Sequence, residues 1–423
     1  MLRILDETNA EFASELGVLI FRQTSLPASI ELAAREIIAE VRAHGDQALR
    51  EITERIEKRP IGAIELRKED CQALASQVAP EVQAALVEAA SRIRAYHEDE
   101  RYTSYERREE GIRLSCRFSP LARVGLYVPG GKARYPSTVL MTAIPAKVAG
   151  VPDVYMTTPG PSPETMAAAL VAGVDRVFLL GGAQAIAAFA YGTQSVPRVD
   201  KIMGPGNAYV AAAKRLVFGD VGIDMVAGPT EVVIVADGTA DPAWVAADLL
   251  AQAEHDELAV PILVAVGIQV AEAVNAELAK QLRDLPRRSI AEKSLSGQGV
   301  AIVVKDVETG IRILNLLAPE HAGLSIENAR ALAPKVTSAG AVFVGHAACE
   351  SLGDYYAGPS HVLPTGGSAR FSSPLGVGDF MKRTSFIEYD QNALSRQANS
   401  IAAFANVEGL QGHGRAVLIR MKK

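Results

Sequence analysis

From residue 121 onward the sequence alternates short β-rich runs, each ending in glycine or proline, with alanine-rich helical stretches. The runs are RVGLYVPGG, DVYMTTPGP, RVFLLGGAQA, DKIMGPGNAY, TEVVIVADG, VPILVAVG, VAIVVKD and AVFVGH. No other feature constrains the fold as much. Strands that alternate with helices at this spacing pair in parallel and are covered by helices on both faces. Right-handed crossovers then bring the strand C-termini to one edge, where such folds bind ligands. Apolar residues make up 48% of the chain but aromatics only 5%, which suits Ala-rich helices packed on buried Val- and Ile-rich strands. At 423 residues the chain exceeds what one core usually serves, so more than one domain is expected.

The flanks read differently. Residues 29–56 place Ile30, Ala34, Ile37, Ile38 and Val41, then Leu49, Ile52 and Ile56, at helical spacing, with a break at Gly45 and Asp46 as the next N-cap. Another helix follows Pro80, with Val82, Leu86, Ala89, Ile93 and Tyr96 on its apolar face; His44 and His97 read as surface residues. After residue 361 strand character fades, and 394–408 forms an amphipathic helix broken by Gly409 and Gly412. The segments beginning GLYVPGG and EVVIVADG share a strand-turn-helix-strand pattern that hints at duplication, at low identity.

Charge and cysteine content narrow the function classes. The net charge is −6, from 43 basic and 49 acidic residues that are interspersed. Such a surface argues against a nucleic-acid or anionic-membrane partner and fits a small-molecule substrate. Cys71, Cys116 and Cys349 lie far apart in no metal or redox spacing, which suits a reducing cytoplasm. The segment MLRILDETNAEF has no apolar signal core, and no apolar run approaches the ~20 residues of a membrane helix.

Several stretches could carry chemistry. The fingerprint GxGxxG is absent, but the turns YVPGGKARYPS, LLGGAQAIAA and MGPGNAYVAAAK could each offer backbone N–H groups and a helix N-terminus to a phosphate. Equally, glycine and proline there could serve only as tight turns. In DPAWVAADLLAQAEHD, Asp241 caps a helix on which Gln252 and His255 share a face. That is either half a metal site or a histidine bonding the helix end. The loop CESLGDYYAGPSHVLPTGGSARFSS gathers Asp354, His361 and Arg370. In LLAPEHAGL, Glu320 and His321 are a solvated helix stop or an acid/base pair in a dry cleft. By spacing alone these point to a metal-assisted or acid/base enzyme.

The run from VGLYVPGGKARYPSTVLM through GGAQAIAAFAYGTQ, MGPGNAYVAAAKRLVFG, AGPTEV, AEHD, APEH and GDYYAGPSHVLPTGGSARFSS, with the C-terminal EGLQGH, resembles the histidinol dehydrogenase family. The resemblance spans about 120 to 386 and implies a homodimeric, cytoplasmic enzyme that uses NAD and zinc to oxidise L-histidinol to L-histidine through the aldehyde. It implies Gln252, His255, Asp354 and His413 as zinc ligands, and Glu320 and His321 as proton acceptors. Tyr127, Gln184 and Asn207 would contact NAD. Thr230, His361 and Glu408 would contact substrate beside the ligands and His321. A neutral His321 with a pKa near working pH would suit the base role. The expected fold is α/β: two Rossmann-like parallel-sheet domains without GxGxxG, with small helical appendages at both ends. The boundaries would be 1–22, 23–126 with 231–375, 127–230, and 376–423 as a C-terminal arm exchanged in the dimer, carrying Glu408 and His413. Thr230, Ala322 and Gly323 depart from the usual family residues, which leaves a different small polar alcohol as the alternative substrate.

Overall fold

The computed structural model describes residues 1–21, 27–58, 60–130 and 134–421. The turn residues Gly131, Lys132 and Ala133, and the boundary expected at 22/23, fall outside that range. The chain divides into two compact units, Met1–Glu100 with Ala122–Phe380, and Arg101–Leu121 with Met381–Lys423.

The first unit contains two six-stranded sheets. In the mid-chain sheet the order is Glu65–Leu66, Arg176–Phe178, Asp153–Thr157, Arg123–Tyr127, Lys201–Met203, Gly222–Ile223. Only the short first strand is antiparallel to its neighbour. In the late sheet the order is Arg3–Asp6, Val300–Val304, Val260–Val266, Glu231–Ala236, His321–Ser325, Ala341–Val344, all parallel. The strands Glu231–Ala236 and Val300–Val304 are wholly buried, as helices on both sheet faces require. Apart from the edge strands 65–66 and 3–6, each sheet places its strands in the same chain order: third, second, first, fourth, fifth. This matching topology gives the duplication hinted at by the two related segments a structural basis.

In each sheet the direction of winding reverses between the first and fourth strands, and a crevice opens there. In the mid-chain sheet the C-terminal ends at this crevice carry Tyr127 and, just after Met203, the turn GPGN. In the late sheet the candidate residues lie at the opposite ends: Thr230 precedes Glu231–Ala236, and Glu320 precedes His321–Ser325. The candidate residues therefore lie at the C-terminal edge of one sheet and the N-terminal edge of the other. The late sheet's C-terminal crevice is tied off by its own bonds. Asp237 accepts the N–H groups of Thr239 at 2.9 Å and Glu327 at 2.8 Å, and the Ser325 hydroxyl lies 2.8 Å from His346 Nδ1.

Three local expectations need correction. Glu320 and His321 are not a helix-end turn; helix Val307–Leu317 closes at Ala318, whose φ is +47°, and His321 opens a strand. Ala322 on that strand packs in the core with Val233 and Leu314. A Cβ on Gly323 would come within 3.2 Å of Ile234. Their small size thus serves sheet packing. His97 is fully buried rather than on the surface, with Nδ1 2.8 Å from Glu100. The helix Pro80–Glu98 buries Leu86, Ala89 and Ile93 as expected, adds Ala90 and His97 to the buried face, and exposes Val82 and Tyr96. Finally, Gly45 at φ +56° makes the turn before helix Asp46–Glu57, and Asp46, in the first turn, accepts the Ser195 N–H at 3.1 Å. Helices Ala28–His44 and Asp46–Glu57 share a core with Phe178 of the mid-chain sheet and Phe189 of helix Gly182–Tyr191.

The second unit is an antiparallel sheet of Met381–Tyr389, Ile112–Pro120 and Tyr105–Glu109, with helices Gln391–Val407 and Gln411–Leu418. Its long strand Met381–Tyr389 lies where strand character had been expected to fade; eight of its nine residues are exposed, so no buried alternation marks it. Asp390 caps the following helix by accepting the Ala393 N–H at 2.7 Å. Among the described residues no helix is long and apolar enough to cross a membrane.

Candidate active site

The Glu320–His321 pair is buried. Glu320 Oε2 accepts the Thr230 hydroxyl at 2.7 Å and the Glu231 N–H at 3.0 Å. Burial pushes its carboxyl up to about 8, although these two bonds pull the other way. His321 Nδ1 is 3.2 Å from the Glu231 carbonyl. A carbonyl only accepts, so Nδ1 carries the proton and Nε2 is left as the bare acceptor. Nε2 is buried and has no hydrogen-bond partner among the described residues. Burial holds the imidazole down at about 3, below the working range expected of it. The ring therefore stays neutral at any ordinary pH, and the charge it gains on taking a proton must be stabilised by its neighbours. Two acidic side chains lie beside the ring: Asp354 Oδ1 is 3.8 Å from Nε2, and Glu350 Oε1 is 3.9 Å from Nδ1.

The helix Pro242–Ala253 is capped by Asp241, which accepts the Ala243 N–H, and it positions Asp248 and Gln252, with His255 just past its end. Facing them, the short helix Glu350–Tyr355 carries Glu350 and Asp354 four residues apart, on one face. Gln252 is buried, and its amide faces the second helix. Its nitrogen donates to the Thr230 hydroxyl at 2.5 Å, and its oxygen faces the Glu350 carboxyl with no donor between them. Donor atoms of His255, Glu350 and Asp354 all lie within 4.8 Å of one another. Burial raises the carboxyls of Asp354 and Asp248 to about 6 each. It raises Glu350 well above the carboxylate range, with Asp354 and Glu320 adding repulsion. His255 keeps an exposed edge, and desolvation, with Arg287 nearby, lowers its pKa. Buried carboxylates that repel one another, beside a neutral imidazole and an amide oxygen, make a donor set of nitrogen and oxygen that suits a divalent cation. His361 closes this side: Nδ1 donates to the Asp354 carbonyl at 2.9 Å, and Nε2 is 3.3 Å from Thr138 Oγ1.

At the mid-chain crevice, Tyr127 ends its strand, buried, with its hydroxyl accepting the Gly182 N–H at 3.1 Å. Burial pushes that phenol up to about 12. Gln184 is buried in the first turn of helix Gly182–Tyr191, 3.3 Å from Glu57 Oε1. Asn207 is exposed and caps helix Ala208–Val217, accepting the N–H groups of Tyr209 and Val210. Glu408 and His413 belong to the second unit, both exposed, at the end of one helix and the start of the next.

A family model described as histidinol dehydrogenase matches residues 21–421. The chain belongs to the histidinol dehydrogenase family. It is 48% identical to a histidinol dehydrogenase of Cupriavidus pinatubonensis over 434 residues, covering 100% of this chain and 98% of that one. It is 49% identical to that of Ralstonia nicotianae, with the same coverage. A solved histidinol dehydrogenase from Elizabethkingia anophelis superposes with a TM-score of 0.93 at 35% identity, covering 100% of this chain and 98% of that chain. Membership makes the chain an oxidoreductase of histidine biosynthesis. Within this family member, the structure gathers Thr230, Gln252, His255, Glu320, His321, Asp354 and His361 in the first unit. Sequence reasoning missed three carboxylates there: Asp248, Glu231 and Glu350. A signal for two of them existed. Glu350 lies one turn before Asp354, and Asp248 one turn before Gln252.

Proposed function

We propose that the chain oxidises L-histidinol to L-histidine in two NAD-dependent steps through a retained aldehyde. The observation that supports this best is the bare, buried Nε2 of His321, fixed by the Nδ1 bond to Glu231 and flanked by carboxylates. His321 Nε2 takes the hydroxyl proton as hydride leaves the carbinol carbon for NAD, and Asp354, 3.8 Å from Nε2, steadies the imidazolium. The aldehyde then needs water before a second hydride can leave, and Glu320, as carboxylate, takes the water's proton. Thr230 holds Glu320 in place through its hydroxyl. Retention in a dry cleft keeps the aldehyde from side reactions.

Gln252, His255 and Asp354, with His413, would hold zinc, and zinc when bound supplies a template that orients the nitrogen donors of the substrate. The Thr230 hydroxyl accepts the Gln252 N–H, which turns the amide oxygen toward Glu350 and settles ligand orientation before the ion arrives. Tyr127, Gln184 and Asn207 would border NAD at the mid-chain crevice. Thr230, His361 and Glu408 would read the substrate. The acting form is a homodimer in the cytoplasm, in which each arm gives Glu408 and His413 to the other copy's site. Phe404, Val407 and Ile419 of the arm are 74%, 88% and 67% exposed, an apolar face that a second copy would cover.

With zinc and NAD, the purified protein reduces NAD on addition of L-histidinol and does so more slowly with other small polar alcohols. Absence of NADH above background contradicts the reading, and a faster rate with another alcohol reassigns the substrate. Mixing a His321→Asn protein with a His413→Asn protein partly restores activity through hybrid dimers, each holding one intact site. Proven hybrids without recovery would exclude the exchanged arm.

A further inference from the structure

A fully buried ion pair lies outside the chemistry described so far. Lys214, on helix Ala208–Val217, and Asp224, just after strand Gly222–Ile223, are 2% and 1% exposed at their side chains. Such a pair is expensive to bury and contributes little net stability, so its retention calls for another reason. Its bonds supply one. Lys214 Nζ donates to the Gly204 carbonyl at 2.9 Å, and Asp224 Oδ2 accepts the Gly204 N–H at 2.7 Å. The pair is closed by a direct Lys214–Asp224 bond, and Asp224 Oδ1 also accepts the Met225 N–H at 2.6 Å. Both polar groups of one glycine are thereby fixed from one side.

Gly204 is the pivot of the turn GPGN. Its φ is +106°, and a Cβ there would strike the Tyr127 carbonyl oxygen at 2.3 Å. The turn thus rests against the end of the strand that carries Tyr127, and three residues later Asn207 starts the helix. A rotation of the Gly204 peptide would carry Asn207 and the helix N-terminus away from the mid-chain crevice. Main-chain bonding of Gly204 by neutral partners could hold the turn equally in a folded protein. A charged pair holds it more stiffly, because charge-assisted bonds are about twice as strong as neutral ones.

We propose that Lys214 and Asp224 are positioning residues for dinucleotide binding: the pair locks the Gly204 peptide and so presets Asn207 and the N-terminus of its helix for the phosphates of the nucleotide. This rests on the reading that NAD binds at the mid-chain crevice. A preset turn spares the ordering that binding otherwise requires, so the pair acts on nucleotide affinity and leaves the alcohol site alone.

The test measures NADH affinity by fluorescence titration, and KM for NAD and for L-histidinol, on the full-length zinc-loaded protein. Lys214→Met frees the Gly204 carbonyl, and the pair Lys214→Met with Asp224→Asn removes both charges while keeping an oxygen for the Gly204 N–H. In either variant the expected result is a rise on the order of 10-fold in the dissociation constant for NADH and in KM for NAD, with KM for L-histidinol and zinc content unchanged. The double variant covers the case in which the single one, left with an unpaired Asp224, does not fold. A folded variant whose NADH affinity stays within about twofold of the parent overturns the proposal, as does an equal rise in both KM values. Failure of both variants to fold also overturns it, because the pair would then be a stability element. An unmodified protein that binds no NADH sinks the proposed function itself.

Discussion

His321→Asn lowers the rate of L-histidinol oxidation by ~10²–10⁴-fold and leaves the zinc content and the fold as they were. The asparagine amide can still donate to the Glu231 carbonyl that holds Nδ1 now, at 3.2 Å, so the strand His321–Ser325 keeps its start. What disappears is the basic nitrogen aimed into the cleft. No other neutral base replaces it: His255 stands in the carboxylate cluster of the candidate metal site, and His361 is tied to the Asp354 carbonyl and to Thr138. Steady-state kinetics and metal analysis on the same sample check both halves. Loss of zinc would show that His321 belongs to the metal site instead.

Glu320→Gln produces a different failure, in the second oxidation. The carboxyl sits at about 8 in the folded protein against 4.5 in a free glutamate. Its protonated form therefore dominates at neutral pH, and the carboxylate that activates water appears only as pH rises through about 8. With the aldehyde as substrate, kcat/KM rises across that range in the parent. In Glu320→Gln it is flat and ~10²–10⁴-fold lower. Stability carries the opposite sign. A raised folded pKa gives a contribution that is fully present below 4.5 and is lost as pH climbs to about 8. The neutral glutamine avoids that loss, so Glu320→Gln melts at a temperature equal to or above the parent at pH 9. An unchanged rising limb in the variant would remove Glu320 from the water-activating role.

The paired parallel sheets were legible because runs such as EVVIVA and VAIVV are continuous apolar strands, each followed by a helix. The strand HAGLS was not, since only Ala322 and Leu324 pack in the core and it opens with the polar candidate residue His321. The edge strand Arg3–Asp6 is short and half exposed, and Met381–Tyr389 is exposed along its length; neither has a buried face for a pattern to reveal. Helix Pro80–Glu98 was legible as a helix and in the middle of its buried face, but not at its last turn, where His97 pairs with Glu100 and is buried while the more apolar Tyr96 faces outward. Of the candidate residues carried by motif, Thr230, Gln252, His255, Glu320, His321, Asp354 and His361 lie together in the first unit, while Glu408 and His413 belong to the second. Glu350 and Glu231 were missed because their role depends on partners distant in sequence: the Gln252 amide for Glu350, and His321 and Gly366 for Glu231. The low pKa of His321 was likewise invisible, since burial sets it, and burial follows from the strand at whose start it lies.

The two-step oxidation at one site is tested most directly by counting NADH formed per L-histidinol consumed, with the product identified, using limiting substrate and the zinc-loaded protein. The account predicts two NADH and L-histidine, with no free aldehyde accumulating. One NADH with released aldehyde, or histidinol left unoxidised, would contradict it.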